Sequence, residues 1–362
     1  MSHTPGPGTR SGSFLGEVKD AVTPRATLLV FGVIALQLLF IASYVGALHD
    51  PRPKDVPFGV VAPGAAAERT VGRLERLPGS PLDPRTVTDE AAARRQIMNR
   101  EIDGALVVNP EGGRDTLLVA SGGGTVLATT LEGIVGKAEQ AERRTVRVVD
   151  TAPASPHDFD GLSSFYLVVG WCVGGYLCAS ILAISTGARP ANPRRAAIRL
   201  IVMALVAIVG GLGGAVIVGP ILGALPGSVV DLWGLGALLT FAVGAATLAL
   251  QGVFGIVGIG LAILLVVIAG NPSAGGAFPL PMLPPFWKAI GPWLPPGAGT
   301  WTARSIAYFR GNDVTVSLLV LWAWAVAGTV ITMLAAVLPR PGRQEELPPT
   351  PATPPTPPTS AG

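Results

Sequence analysis

Charge is nearly absent from a series of long apolar stretches in this sequence, and that pattern limits the folds open to it more than any other feature. A hydrocarbon layer about 30 Å thick is crossed by roughly 20 apolar residues in a helix, because a helix satisfies its own backbone hydrogen bonds. Six windows of that kind run approximately over 27–48, 163–185, 197–222, 229–250, 252–270 and 315–338. The fourth and fifth meet at Leu250 and Gln251, which leaves room only for a tight turn. A mean hydropathy of +0.52 and a charged fraction of 14% exclude an ordinary soluble globule. The expected fold class is therefore a polytopic α-helical membrane protein, a six-helix transmembrane bundle with an inserted external α/β domain.

Orientation follows from Lys and Arg near the span ends, which stay on the cytoplasmic side during insertion. Arg10, Lys19 and Arg25 precede the first window, Arg189, Arg194, Arg195 and Arg199 follow the second, and Arg340 and Arg343 follow the last. Both termini are expected in the cytoplasm, in a multi-pass protein of the plasma (cytoplasmic) membrane. Residues 49–162, with 14 basic and 17 acidic side chains, then lie outside. The first window is longer than the 7–15 residues of a signal-peptide core, so it reads as a retained anchor behind a cytoplasmic arm, 1–26. The tail 339–362 is rich in proline, which removes backbone donors, and reads as a disordered extension.

Segment 49–162 alternates strand and helix signals. Strands are expected at 57–61, 104–109, 116–120 and 145–150, and helices at 66–77, 88–102 with Thr88 as N-cap, and 125–143. Such alternation implies an α/β layer with parallel pairing. Chemistry is hard to find in it. His49 and His157 lack partners at metal-ligand spacing. GIVGKAE, around Gly133, Gly136 and Lys137, departs from a phosphate loop at Leu131 and Ala138. The acid pairs Asp89/Glu90 and Asp158/Asp160 read as solvated or helix-start residues. No catalytic, cofactor or metal site is expected, and no nucleic-acid partner.

Glycines recur inside the apolar windows at a spacing of four: Gly170 and Gly174, Gly210 and Gly214, Gly219 and Gly223. In lipid, helix association rests on packing, so these are expected to bring helix backbones together. Ionisable groups within the windows, which would mark a proton or ion route, are almost missing apart from Asp231 at one mouth. Cys172 and Cys178 imply no disulfide framework.

Residues 271–300, NPSAGGAFPLPMLPPFWKAIGPWLPPGAGT, precede the last window. Within 279–310, the stretches 284–294 and 299–309 are too short to span and are broken by Pro292, Pro295 and Pro296. Trp287, Trp293 and Trp301 suit the headgroup level. The expectation is two short re-entrant helices dipping into the outer leaflet.

This layout resembles the permease subunit of ABC type-2 exporters. FLGEVKDAV (14–22) matches the amphipathic helix before the first span, STGARPANPRRAAIR (185–199) the cytoplasmic coupling loop, and 271–297 the re-entrant pair. The large domain after the first span, with EIDGALVVNP (101–110), resembles the branch that contains the phage-infection-protein and nitrosoguanidine-resistance groups. The resemblance implies a subunit moving an amphipathic or lipid-like cargo, with no enzyme activity of its own, in contact with membrane lipid. ATP hydrolysis would come from a separate ATP-binding subunit, since no G-x-x-x-x-G-K-[ST] occurs. It also implies a homodimer or heterodimer of permeases, Arg189, Arg194, Arg195 and Arg199 as coupling residues, and Pro285, Trp287, Pro292, Trp293, Pro295 and Trp301 as an outer gate. The alternative of another class is a membrane-anchored receptor or assembly scaffold whose external domain binds a partner.

Overall fold

The structure, a computed structural model, describes residues 24–338. The expected arm helix at 14–22 and the tail 339–362 lie outside the described residues. The protein is mostly helical. Helix α1 (Pro24–Leu48) leads into an inserted domain of β1 (Val56–Val61), α2 (Ala65–Glu75), β2 (Leu82–Thr86), α3 (Glu90–Met98), β3 (Gly104–Val107), β4 (Arg114–Val119), α4 (Thr125–Ala141) and β5 (Thr145–Asp150).

The five strands lie in the order β2-β1-β3-β4-β5. Pairs β1/β2, β1/β3 and β4/β5 are parallel, each parallel step joined through a helix, and β3/β4 is antiparallel. Side chains alternate along the strands, so two cores form. Phe58, Leu106 and Leu117 pack with Leu74 of α2 and Leu131 of α4 on one face. Ala105 and Leu118 pack with Ala93 and Ile97 of α3 on the other.

Strand β2 was not expected from its sequence, LDPRT. It stands at the sheet edge paired only with β1, where Pro84 opposite Phe58 costs the ladder little. The N-cap of α3 is Asp89 rather than Thr88, its carboxylate accepting from the Ala92 N–H at 2.6 Å. GIVGKAE lies within α4 and not in a loop.

The remaining helices are α5 (Ser163–Thr186), α6 (Pro193–Val216), α7 (Val229–Phe254), α8 (Val257–Ile263), α9 (Pro285–Ile290), α10 (Pro295–Tyr308) and α11 (Thr315–Val337). A π-helical turn over Ile217–Ile221 extends α6 around Pro220, where the proline interrupts the regular hydrogen-bond ladder. Helix α7 is the hub, packed against α5, α6 and α11, with 61% of its apolar window buried. Helix α1 is peripheral, with 11% buried. Its Ser43 hydroxyl donates to the Ile268 carbonyl at 2.6 Å. Large apolar side chains cover the outer faces of α1, α6 and α11.

Among the described residues five helices, rather than the expected six, are long and apolar enough to cross a membrane: α1, α5, α6 with its π-helical turn, α7 and α11. The expected turn at Leu250–Gln251 falls later, at Gly255 (φ +64°), because Gly252 to Phe254 complete α7. The fifth window is thereby shortened. Helix α8 continues as a π-helical stretch, Leu264–Gly270, and a last turn, Asn271–Ser273. At about 1.5 Å per residue it extends roughly 25 Å, short of the ~30 Å layer.

Candidate functional site

The most elaborate polar arrangement joins the inserted domain to the segment before α11. It begins at the end of α3. The Arg100 N–H bonds the Ile97 carbonyl at 2.9 Å and the Glu101 N–H bonds the Gln96 carbonyl at 2.9 Å, closing the helix in a Schellman motif. That motif needs a left-handed residue, usually glycine, and Arg100 fills the position with φ +61°. An arginine held there at a steric cost projects its side chain out of the domain.

Its guanidinium stacks on Trp301 of α10, 3.3 Å from the ring centroid, and lies 4.8 Å from that of Phe309. It donates to the Trp301 carbonyl at 2.9 Å and to the Ser305 hydroxyl at 2.7 Å. Asn312 donates to the Met98 carbonyl at 3.0 Å, and the Lys54 N–H to the Pro281 carbonyl at 3.0 Å. Gly122 lies so close to Tyr308 that an added Cβ would come within 2.5 Å of that ring.

Helix α10 starts on Pro295 and Pro296, where a missing N–H and fixed φ cost nothing. Its buried Arg304 donates to the carbonyls of Gly275 and Gly276, each at 2.6 Å, and to that of Gly161 at 3.2 Å. One turn on, the Tyr308 hydroxyl donates to Asp158 at 2.6 Å, and Asp158 also accepts from the Ser163 N–H that opens α5. Asp158, expected to be either solvated or at a helix start, is buried at 3% exposure and sits at the start of α5. Burial, then the neighbouring Arg304 charge, pull the Arg100 guanidinium down to about 9. Burial pushes the half-buried Asp103 carboxyl up to about 6 against the opposing pull of Arg100 and Lys288.

The six residues expected at a gate do fall on two short helices and the turn between them. Pro285 and Pro295 open α9 and α10 as first-turn residues rather than breaking them, and Pro292 sits in the 3-10 turn Gly291–Trp293. Trp293 is exposed at 65%, and its carbonyl accepts from the Trp324 indole N–H at 2.9 Å. Trp287 is half-buried. Trp301 lies under Arg100, with its indole N–H on the Asp313 carbonyl at 2.8 Å, so the polar tip is engaged within the protein.

The four arginines expected to form one coupling surface divide into two pairs. Arg199 is buried and donates to the carbonyls of Thr186, Gly187 and Ala188 at the end of α5. Arg189 donates to the Ala335 and Leu338 carbonyls at 2.7 and 3.0 Å, at the end of α11. Both cap helix C-termini, where cations are favoured. Only Arg194 and Arg195 are exposed, in the first turn of α6.

Close helix approach is made at Gly214 of the expected set, where a Cβ would meet Trp171 Nε1 at 2.5 Å, and at Gly175, Gly211 and Gly328, which were not expected. A Cβ on Gly175 would meet the Thr240 carbonyl at 2.7 Å, one on Gly211 the Ala237 nitrogen at 2.6 Å, and one on Gly328 the Ala246 nitrogen at 2.5 Å. Gly170, Gly174 and Gly210 have nothing within 4 Å. With Gly214, which packs on Trp171, they line an apolar groove of about 530 Å³ between α5 and α6. Gly219 makes an ordinary contact with Val229, and Gly223 is a turn residue at φ +61°.

Arg100, Arg304 and Tyr308 were not singled out from the sequence, and Asp158 was read only as a solvated or helix-start acid. A charge in TARSIAY, a segment too weakly polar to be a solvated loop, was the available signal for Arg304. Comparison with known protein families, curated proteins and solved structures finds no match for this chain.

Proposed function

We propose that this chain is the membrane permease subunit of an ABC type-2 exporter, moving an amphipathic or lipid-like cargo with ATP hydrolysis by a separate subunit. The observation that supports it is the joint itself. A folded domain inserted after the first span is locked by Arg100 onto α10, and α9 and α10 together form a short-helix hairpin before the last span. A domain that served only as a tethered receptor has no need of a stacked, doubly hydrogen-bonded anchor on such a hairpin. In this reading the domain is external, the hairpin is re-entrant and gates the outer leaflet, and a second permease completes the pathway. An ATPase would act on the exposed Arg194 and Arg195, while Arg189 and Arg199 transmit the load to the ends of α11 and α5.

The test is affinity purification of the intact protein in mild detergent, with crosslinking of co-purifying chains. An ATP-binding subunit crosslinked near 186–199 is expected, with its ATPase stimulation lost on Arg194→Ala plus Arg195→Ala. Partners confined to residues 49–162, with no ATPase, would overturn the reading in favour of a receptor or scaffold.

A further inference from the structure

Between the inserted domain and the α9–α10 hairpin lies a cavity of about 380 Å³. Arg100, Lys288 and Arg304 line it, with Asp103. None of the ion pairs among the described residues involves any of these three cations. Arg304 is 3% exposed and its terminal nitrogens bond only uncharged carbonyls. Its Nε–H is buried without a partner. A buried donor left unmade is costly, and the one buried carboxylate near Arg304, Asp158, bonds Tyr308 and Ser163 rather than the guanidinium.

The acids on the wall do not neutralise this charge. Asp55 and Asp313 are exposed at the margin. Asp103 is the one carboxylate set deeper, a single negative charge facing three cations. Apart from Thr300 and Ser317, the rest of the wall is apolar or aromatic, including Leu280, Trp301 and Val316. Val316 belongs to the first turn of the membrane-length helix α11, so the cavity stands where that helix meets the inserted domain. Cationic depth, an apolar wall and this level together match a phosphate group carried on an acyl-chain amphiphile.

We propose that the cavity is a binding site for a phosphate-bearing anion, the headgroup of an anionic phospholipid, held by Arg304 and Arg100 with Lys288 completing the charge. The site does not depend on the chain being an exporter. The same phosphate chemistry could come from a soluble ion, and the test separates the two sources.

Purified full-length protein in non-ionic detergent would be titrated with phosphatidylglycerol, phosphatidylcholine and inorganic phosphate, following the unfolding midpoint. Ligand that binds only the folded state raises it by mass action. Phosphatidylglycerol should raise it saturably and phosphatidylcholine should not. A similar response to inorganic phosphate would assign the site to a free anion.

Arg304→Gln removes the buried cation and risks misfolding, so the decisive variants are Lys288→Gln and Asp103→Asn. The Lys288 side chain makes no hydrogen bond or ion pair among the described residues, so its loss should leave the fold intact while weakening anion affinity about 5- to 10-fold, the effect of one partly buried charge. Asp103→Asn removes an opposing charge and should tighten it by a similar factor. A structural role for either residue would not move affinity in opposite directions. Absence of any saturable anion effect, or unchanged affinity in both variants, would overturn the assignment.

Discussion

Arg100 and Trp301, 201 positions apart in the chain, are joined by a guanidinium stacked 3.3 Å from the indole centroid and a hydrogen bond to the Trp301 carbonyl. Removing it breaks a cation–π contact and two charged hydrogen bonds, so Arg100→Ala should cost about 2–4 kcal/mol at the joint. Arg100→Lys keeps the charge and loses the planar stack, and should recover less than half. Arg100→Gly relieves the left-handed backbone and should be milder than alanine by up to ~1 kcal/mol. Limited proteolysis between residues 49 and 162 would rank the three. An order with alanine mildest would contradict the Schellman assignment.

Arg199→Ala should destabilise the membrane core, because it uncaps the last carbonyls of α5 from within. Arg194→Ala and Arg195→Ala, at exposed positions, should stay within about 0.5 kcal/mol of the parent. Thermal unfolding in detergent checks both, and equal losses in all three variants would show that the arginines act as one surface after all.

Gly328→Ala should destabilise by about 1–3 kcal/mol, since its new methyl meets the α7 backbone, which cannot yield as a side chain would. Gly170→Ala, facing open space, should be neutral or slightly stabilising through helix propensity. A large loss on Gly170→Ala in the membrane, absent in detergent, would instead reveal a partner seated in the groove.

The raised Asp103 carboxyl gives a pH dependence of definite sign. The folded state holds this proton up to about 6, whereas the unfolded chain releases it near 4. Stability from this group is therefore complete below about pH 4 and declines as pH rises through 6. Asp103→Asn should flatten that decline and raise the unfolding midpoint at neutral pH. A midpoint unchanged by the substitution from pH 4 to 7 would show the carboxyl to be solvated.

Five of the six apolar helices and most of the α/β domain were legible in the sequence, because each depends on a local period: a run of apolar residues, or alternation along a strand. Strand β2 was hidden because Pro84 and the charged residues of LDPRT suit only an edge, and edges are set by neighbours. Gly252 to Phe254 are as apolar as α8, so composition could not say which helix they finish. Spacing of four singled out Gly170 and Gly174, yet the contact falls on Gly175, since the rotation of α5 is fixed by its neighbours. The roles of Arg100 and Arg304 arise from partners up to 205 residues away, which no local pattern shows.

The long separation between Arg100 and its anchor also has a bearing on biogenesis. At about 5–20 residues per second, Trp301 is synthesised roughly 10–40 s after Arg100. Once Asp150 is made, the inserted domain has a finished sheet and an unmet cation for the rest of that interval. The domain therefore has to hold its own fold before its anchor on α10 exists.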